Sequence, residues 1–292
     1  MFSYRHAFHA GNHADVLKHA VLIACLRHLT LKETALTVID THAGAGLYRL
    51  DGDYARTSGE ATEGVLRLAQ APGLDPLLQD YLDLVRSFNG KGAVRIYPGS
   101  PFITQRLLRP QDRLKLFELH PTDLPALVRN AAQLDAGRQV VVLSEDGFEG
   151  MRQFLPPQPR RALLLCDPSY ELKSDYVRVH TLVQEALKRF VTGCQAIWYP
   201  VIARPEAHEL PRRLKALATR AGRPWMHATL TVKSARVRKL ADGIEQRPGL
   251  TGSGMFLVNP PYTLHDALAS ALPQLVELLG QDDHAGHTLE AG

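Results

Sequence analysis

The sequence predicts an α/β fold built on one open, doubly wound sheet. Two observations support this prediction: short apolar segments recur along the 292 residues, and segments with helical periodicity lie between most of them. Buried parallel strands have this continuous apolar character, and their alternation with helices is typical of a sheet covered on both faces. A glycine-rich turn directly follows the first apolar segment, where such sheets bind ligands.

The chain begins with a predicted amphipathic helix over residues 15–29, and a first strand follows at 35–39. Later strands are predicted at residues 114–119, 140–143, 162–166, 196–199, 228–232 and 255–258, giving a sheet of about seven strands. Helices between most of them are predicted at residues 123–134, 148–154, 176–190 and 204–221. Because no helical pattern separates the last strands, we expect this end of the sheet to be antiparallel.

Residues 47–95 interrupt the alternation, because they contain a helical pattern at 77–88 but no convincing buried strand. We therefore interpret residues 1–279 as one domain in which 47–95 form a helical insertion. Residues 280–292 are polar and contain three acids but no lysine or arginine. We expect them to form a flexible tail.

The composition excludes several classes of protein. Hydrophobic residues make up 45% and charged residues 22%, which is typical of globular domains and excludes a disordered or fibrous chain. No apolar run approaches the roughly 20 residues that a membrane-spanning helix needs. The three cysteines have no CxxC spacing, which excludes a disulfide framework and fits a reducing cytoplasm. We therefore expect a cytoplasmic protein.

The basic residues are concentrated in one segment. Residues 201–250 hold eleven basic and four acidic side chains, a net charge of +7, whereas the whole chain carries +4. Such asymmetry predicts contact with a phosphate backbone, although a solvated helix face followed by a basic loop would give the same pattern. Arg236, Arg238 and Lys239 lie in this segment and are candidate contacts to nucleic acid.

His9 and His13 are spaced i, i+4, which can present two metal ligands on one helix face. No HExxH sequence accompanies them. We therefore expect no bound metal and interpret the histidine-rich N-terminal segment as part of the lining of a site.

The turn after the first strand, residues 40–46, carries Gly44 and Gly46. Paired glycines permit a tight turn and a close approach of backbone to a ligand. The third glycine of the dinucleotide fingerprint is missing. The segment matches instead the D-x-F-x-G-x-G form of S-adenosylmethionine (SAM) sites, with His42 at the aromatic position.

Acids end the next two predicted strands. Glu118 could accept the two ribose hydroxyls of an adenosine ligand, although it lies 78 residues beyond Asp40, where about 20 is usual. The insertion accounts for the excess. Asp146, followed by Gly147, could accept the amine of the cofactor's adenine. Each acid alone could be an ordinary helix-preceding or turn residue, but their order along the sheet favours a cofactor site.

The fourth predicted strand is followed by Asp167, Pro168, Ser169 and Tyr170. Amino-methyltransferases carry a [DNS]PP[YFW] tetrad at this point. The carboxylate and the proline carbonyl can each accept a hydrogen bond from a conjugated amine, which favours a pyramidal nitrogen, and the aromatic ring can stack on an extruded base. Ser169 replaces the second proline, which makes the turn less rigid but keeps both acceptors.

A second tetrad, Asn259–Pro260–Pro261–Tyr262, matches the pattern fully. It ends a late strand, after the basic segment, where the order of strands places it away from the crevice that binds ligands. We therefore favour Asp167 as the catalytic acceptor.

These motifs resemble the J-type bacterial 23S ribosomal RNA adenine-N6 methyltransferases nearly end to end. The most specific part is residues 4–19. Further similar segments are residues 40–46, 97–101, 118–121, 146–148, 198–201 and 254–261.

The resemblance implies a Rossmann-like, SAM-dependent methyltransferase fold with a small inserted helical subdomain. It implies Asp167 as the catalytic acceptor; Pro168 and Tyr170 are catalytic candidates from the chemistry of the tetrad. It implies Tyr4 as a contact to RNA, with His6 and Lys18 as candidates beside the target base. The cofactor contacts it implies, together with the two glycines of the turn, are His19, His42, Gly44, Gly46, Ser100, Glu118, Asp146, Gly147 and Asp167.

The implied partner is 23S rRNA, naked or in an early assembly intermediate, and the implied state is a monomer without a metal or a membrane anchor. Two other functions stay open. Ser169 could mark a non-catalytic rRNA-binding or assembly factor, and the same fold could methylate DNA or a protein glutamine. A nicotinamide oxidoreductase is disfavoured by the missing third glycine.

Overall fold

The structure is a computed structural model that describes residues 5–52, 57–236 and 249–292, together with the backbone of two short strands in the remaining basic segment. Its strands are β1 (Thr37–Asp40), β2 (Leu47–Arg49), β3 (Ile96–Pro98), β4 (Arg113–Phe117), β5 (Val140–Leu143), β6 (Ala162–Cys166), β7 (Cys194–Val201), β8 (Trp225–Thr231), β9 (Arg238–Lys239), β10 (Glu245–Gln246), β11 (Gly252–Val258) and β12 (Gly286–Ala291).

Nine α-helices lie within the described ranges. They are α1 (His13–Leu29), α2 (Val65–Leu68), α3 (Pro76–Arg86), α4 (Ser100–Leu107), α5 (Asp123–Ala132), α6 (Gly147–Gly150), α7 (Lys173–Arg189), α8 (Pro205–Arg220) and α9 (Leu264–Leu279). Short 3-10 turns cover His6–Phe8 and Met151–Phe154.

Eight strands form the main sheet in the order β12–β8–β11–β7–β6–β1–β4–β5. The strands from β5 to β7 are parallel, whereas β11 is antiparallel to both β7 and β8. The predicted α/β class and the antiparallel end are therefore confirmed. From β1, the strands β4 and β5 are added on one side, whereas β6 and β7 are added on the other. The order of strands therefore changes side between β1 and β6, and the crevice of this fold lies at the carboxyl ends of these two strands.

The central strands are apolar because both of their faces are covered. All five residues of β6 are buried, and alternate side chains enter different cores: Leu163 and Leu165 pack in one, Leu164 and Cys166 in the other. The first core includes α1, α3 and α9, and the second includes α7 and α8. The structure is thus a three-layer sandwich with helices on both faces of the sheet.

Helix α1 is more buried than the predicted amphipathic pattern suggests. Thirteen of its 17 residues are buried, including Lys18 and His19, because α3, α4 and α9 pack around it as well as the sheet. Its N-terminus is capped by Asn12, whose side-chain oxygen accepts hydrogen bonds from the amides of Ala14 (3.0 Å) and Asp15 (2.9 Å).

The interval 47–95 contains α2 and α3, and its two ends are joined by the antiparallel pair β2 and β3. The amide of Val65 donates to the carbonyl of Gly11 over 2.8 Å, and Gly64 packs directly on the same backbone. A Cβ atom at Gly64 would lie 2.1 Å from the Gly11 carbonyl oxygen. The interval is therefore fixed to the segment that precedes α1.

The prediction that residues 280–292 form a flexible tail is wrong. Gly286–Ala291 form β12, which pairs antiparallel with β8 and adds an eighth strand to the sheet. The polar composition suggested a tail because this strand lies at the sheet edge, where its side chains are exposed or half-buried and need no apolar face.

Candidate active site

The carboxyl ends of the parallel strands bring the predicted site residues together. A cavity of about 370 Å³ opens there. Of the predicted residues, it is lined by His6, Lys18, His19, His42, Gly44, Ser100, Glu118, Asp146, Gly147, Asp167 and Pro168. These residues come from segments spread over most of the chain, so one crevice joins nearly all of the predicted set.

The turn after β1 has the backbone conformation that its glycines predict. Gly44 and Gly46 both have left-handed φ angles, 61° and 79°. A Cβ at Gly44 would lie 2.3 Å from the Tyr48 hydroxyl, and a Cβ at Gly46 would lie 2.8 Å from Phe102. Of the two glycines, only Gly44 lines the cavity; Gly46 lies against Phe102, and its contact with the cofactor stays a prediction.

Glu118 is held in place by three backbone amides. Gly44 donates to one carboxylate oxygen over 2.7 Å, and the amides of Leu119 and His120 donate to the other over 2.8 and 2.7 Å. Burial raises the pKa of Glu118, and the amides partly oppose this effect. The carboxylate is therefore preorganised to accept hydrogen bonds from a ligand.

Asp146 caps helix α6 by accepting a hydrogen bond from the amide of Phe148 over 2.9 Å. Its other oxygen accepts from Arg178 Nη2 over 2.5 Å. The Arg178 guanidinium lies 4.1 Å from the centre of the Phe148 ring, which in turn meets the His42 ring edge-on at 4.7 Å. Arg178 lines the cavity, but no sequence pattern singled it out.

His42 follows β1 and is a neutral ring in this site. Although part of its edge reaches the cavity, burial among protein atoms lowers its pKa to about 3. Its Nδ1 lies 2.8 Å from the Thr41 hydroxyl. A neutral imidazole can lie against an aromatic ligand without carrying a charge into the pocket.

Ser100 begins helix α4, and its hydroxyl donates to the buried carboxylate of Asp40 over 2.6 Å. Burial raises the pKa of Asp40 to about 6, and the Ser100 hydrogen bond partly offsets that rise. This contact ties the end of β1 to α4, which lies just beyond the insertion.

A second cavity, of about 260 Å³, adjoins the first. The two share His6, Lys18, Asp167, Ser169 and Glu171. The second cavity is also lined by Tyr170, Trp198, Pro200, Ile202, Arg204 and Leu250. Asp167 therefore stands where the two cavities meet.

A buried ionic network supports Asp167. Lys18 Nζ contacts an Asp167 carboxylate oxygen and lies 2.9 Å from Asp15, which also accepts hydrogen bonds from His6 and from the amide of Gly11, both over 2.9 Å. Burial alone would lower the pKa of Lys18, but the two carboxylates outweigh it and raise that pKa. Asp15 was not predicted, although its place three residues after the cap Asn12 is that of a capping box.

Tyr170 lines the second cavity but is not a free ring. It is 2% exposed, has a φ angle of 53°, and its hydroxyl donates to the Trp198 carbonyl over 2.7 Å. Tyr176 and Trp198 pack on it at 4.7 and 6.0 Å between ring centres. Tyr170 therefore forms part of the cavity wall.

The second tetrad lies outside both cavities. Asn259 Nδ2 donates to the carbonyls of Val191 (3.0 Å) and Gly193 (2.7 Å), and its Oδ1 accepts from Arg223 over 2.7 Å. Tyr262 is 83% exposed and contacts only the edge of the His28 ring among the aromatic side chains described. The prediction that this tetrad is structural is consistent with this placement.

The structure describes only some of the predicted contacts to RNA. Tyr4 and the side chains of Arg238 and Lys239 lie outside the described residues. Arg236 is exposed and lines neither cavity. His9 does not pair with His13; its Nδ1 lies 3.0 Å from both oxygens of Glu60 in the insertion.

The described ranges contain neither a metal-binding cluster nor a membrane-spanning helix. No group of three or more His, Cys, Asp or Glu is placed there to hold a metal ion. Within the same ranges, no helix is long and apolar enough to cross a bilayer.

The first cavity fits the nucleoside cofactor that the motifs imply. His19 Nε2 is buried without a partner among the described residues and belongs to a side chain that lines the cavity, so a polar ligand atom would satisfy it. Gly147 approaches the turn so closely that a Cβ would lie 2.0 Å from the Thr41 carbonyl. Together with the strand order and the carboxylates of Glu118 and Asp146, these features define a SAM-dependent methyltransferase.

Comparison with known proteins identifies the family. The family model described as "Ribosomal RNA large subunit methyltransferase D, RlmJ" matches residues 33–290. Two proteins named "Ribosomal RNA large subunit methyltransferase J" are similar over nearly their full lengths. The one from Escherichia coli K12 is 42% identical over 275 residues, 94% of this chain and 93% of that protein. The one from Haemophilus influenzae Rd is 40% identical over 291 residues, 99% of this chain and 98% of that protein.

A crystal structure of a protein from Legionella pneumophila also matches, with a TM-score of 0.85 and 30% identity over 97% of this chain and 98% of that one. The chain belongs to the J family of ribosomal RNA large subunit methyltransferases. The resemblance predicted from the sequence is thereby confirmed, and so are the fold class and the enzyme class.

Proposed function

We propose that this protein methylates the exocyclic N6 amine of an adenine in 23S rRNA, with SAM as the methyl donor. The observation that carries the proposal is the position of Asp167 and Pro168, which line the first cavity while Asp167 also lines the second. A cofactor in one cavity and a base in the other would meet at this carboxylate. The names of the two curated relatives support ribosomal RNA as the substrate.

In this proposal the first cavity holds the cofactor. Glu118, fixed by three amides, accepts the ribose hydroxyls, and Asp146 accepts the adenine amine. His42 and Phe148 provide a neutral, partly aromatic wall. When bound, the cofactor supplies a methyl group activated by a sulfonium, so the protein's task is to position and desolvate the acceptor nitrogen.

The second cavity, in the same proposal, holds the extruded adenine. Lys18 contacts one oxygen of Asp167, and no described group hydrogen-bonds the other. That oxygen and the Pro168 carbonyl would accept the two N–H bonds of the amine and direct its lone pair toward the first cavity. Because the pKa of Lys18 is raised, the lysine does not take the proton that the methylated amine loses, which leaves Asp167 as the nearest base.

Tyr170 would contact the base as part of the cavity wall, with Trp198 beside it. The base would then stack on a fixed surface, and no mobile ring would close over it. His6, which lines both cavities and is held by Asp15, is the proposed contact on the other side. Tyr4, outside the described residues, is a further proposed contact to RNA.

The test of the reaction is transfer of labelled methyl groups to three substrates: 23S rRNA lacking this modification, duplex DNA and a protein extract. We expect N6-methyladenine in the rRNA alone, identified by mass spectrometry of nucleosides. Transfer to DNA or to glutamine would assign the other function of the same fold. Binding of SAM and rRNA without turnover would favour a non-catalytic assembly factor and would point to Ser169.

The contact with RNA phosphates is tested by changing Arg236, Arg238 and Lys239 to glutamine. We expect RNA affinity to fall about tenfold at low salt, and the slope of affinity against salt to decrease by about one for each lost phosphate contact. The matched control changes three exposed basic residues of α8 to glutamine: Arg212, Arg213 and Arg220. Equal losses of RNA affinity in the two triple variants would mean that the basic segment is a solvated face without specific contacts to RNA phosphates.

The proposal also includes naked or partly assembled rRNA as the substrate, a monomeric enzyme and a cytoplasmic location. Assays on protein-free 23S rRNA, assembly intermediates and mature 50S subunits distinguish the substrates. Sedimentation of the protein gives its oligomeric state.

A further inference from the structure

A chain of three buried groups connects the insertion to the first cavity. His19 Nδ1 on α1 lies 2.7 Å from the hydroxyl of Tyr97 on β3, and that hydroxyl lies 3.1 Å from the hydroxyl of Tyr81 on α3. All three residues are at most 1% exposed. The other ring nitrogen, His19 Nε2, has no protein partner among the described residues, and the His19 side chain lines the cavity.

The direction of these hydrogen bonds follows from counting protons. Burial lowers the pKa of His19 to about 3, so the ring is neutral near pH 7 and carries one N–H. If His19 Nδ1 donated to Tyr97, the two hydroxyl protons of Tyr97 and Tyr81 would share the single contact between these oxygens. One hydroxyl proton, on a fully buried side chain, would then have no acceptor among the described groups, which is unfavourable.

The opposite direction gives both hydroxyl protons an acceptor. Tyr81 donates to Tyr97, Tyr97 donates to His19 Nδ1, and the ring proton is placed on Nε2. The one donor left over is then the buried Nε2–H of His19, a residue that lines the cavity. A carboxylate is a strong acceptor for such an N–H, because hydrogen bonds to an ionised acceptor are roughly twice as strong as those between neutral groups.

We infer that Tyr97 and Tyr81 are positioning residues that hold His19 in its Nε2–H tautomer, and that this N–H binds the carboxylate of the methyl donor's methionine end. The inference rests on the proposed function for the identity of the ligand. It gives the insertion, through Tyr81, a part in cofactor recognition that no residue of the sequence motifs shows. A donor at this position discriminates against ligands that lack the carboxylate.

The tautomer is tested first, without any ligand. Nitrogen-15 NMR of histidine-labelled protein distinguishes the two tautomers, and the His19 signals are assigned by their loss in His19→Gln. We expect a single Nε2–H tautomer in the wild type and a mixture in Tyr97→Phe. A wild-type ring protonated on Nδ1 would overturn the inference, whatever the protein's activity.

Cofactor binding gives the second test, by calorimetry with SAM and with decarboxylated SAM. We expect Tyr97→Phe to weaken SAM binding about tenfold and Tyr81→Phe about threefold, and neither to change the affinity for decarboxylated SAM. The matched control is Tyr199→Phe, which removes the 2.6 Å contact between Tyr199 and His227 away from both cavities. Equal weakening of both ligands by Tyr97→Phe would overturn the carboxylate assignment.

These outcomes separate the inference from the proposed function. A wild-type protein that binds SAM and methylates rRNA, with Tyr97→Phe indistinguishable from it, refutes the inference alone. A wild-type protein that binds no SAM refutes the proposed function, while the NMR measurement still decides the tautomer. Each variant removes one oxygen atom, and its melting temperature shows whether folding is retained.

Discussion

Two tetrads in this chain have nearly the same residues and opposite fates. Asp167–Tyr170 follows β6, and Asn259–Tyr262 follows β11; each contains one residue with left-handed φ, Tyr170 at 53° and Asn259 at 51°. At the first, the aromatic ring is buried and the acid lines two cavities. At the second, the ring is exposed and the amide is fully used by backbone carbonyls and Arg223.

Strand direction explains this difference. β6 is parallel to β1 and β7, so its carboxyl end lies at the crevice. β11 is antiparallel to β7, so its carboxyl end lies beside the amino ends of the parallel strands, away from the crevice. The better match to the sequence pattern is therefore the structural one, and the position of a motif in the sheet matters more than its letters.

The largest effect that separates the tetrads is expected from Asp167→Ala. Loss of the acceptor at the junction of the cavities should lower kcat by about 10³-fold or more, by analogy with the loss of one preorganised hydrogen bond in an active site. Single-turnover methylation of 23S rRNA measures the change, and filter binding checks that RNA affinity stays near that of the wild type. Retention of most activity would remove Asp167 from the mechanism.

Asn259→Ala should lower the stability of the fold and leave the activity unchanged. Three hydrogen bonds are lost and an alanine is placed at positive φ, so we expect the free energy of unfolding to fall by about 3 kcal/mol. Urea titration measures this loss. The kcat of the folded fraction should be unchanged, and a large drop in kcat would show that the second tetrad acts in the reaction.

Asp40, the last residue of β1, tests whether the carboxyl end of the sheet contains a residue that lowers the stability of the fold. Because burial raises its pKa from 3.8 to about 6, the native state holds a proton that the unfolded chain releases. Its contribution to stability is present below pH 4 and lost as the pH rises through 6. Asp40→Asn should therefore gain about 2 kcal/mol relative to the wild type between pH 4 and pH 7.

The free energy of unfolding is measured for the wild type and for Asp40→Asn across this pH range. A constant difference between them would mean that the carboxyl titrates normally. No comparable effect is expected from Asn259, which does not ionise.

The smallest effect is expected from Ser169→Pro, which makes the first tetrad resemble the second. A stiffer turn should raise kcat by roughly two- to threefold without changing SAM affinity, because Ser169 is exposed and both acceptors already precede it. Single-turnover rates measure the gain. A hundredfold gain would instead mean that the serine had nearly silenced the enzyme.

Much of the fold could be predicted from local patterns. The strands Val140–Leu143 and Ala162–Cys166 have the predicted bounds, because continuous apolar runs leave little choice of register in a buried sheet. Glu118, Asp146 and Asp167 were found for the same reason. Each follows such a run at the edge where ligands bind.

The rest depends on contacts between distant parts of the chain. Lys18 and Asp167 meet across 149 residues, and the pairing of β12 with β8 depends on a free sheet edge that composition does not reveal. Helix α9, which contains Pro273, was not predicted. Tyr97 lies in a segment that carries the family resemblance, but nothing in that pattern predicts its hydrogen bonds to His19 and Tyr81, since buried tyrosines usually serve packing.

The contact between Gly64 and Gly11 limits how this enzyme can diversify. Position 64, in the insertion, cannot gain even a methyl group while the two backbones stay in contact. Asn12, next to Gly11, caps the helix that presents Lys18 and His19. A side chain at position 64 would therefore push against the segment that caps this helix, so the buried Gly64 is constrained by a helix that carries two residues of the site.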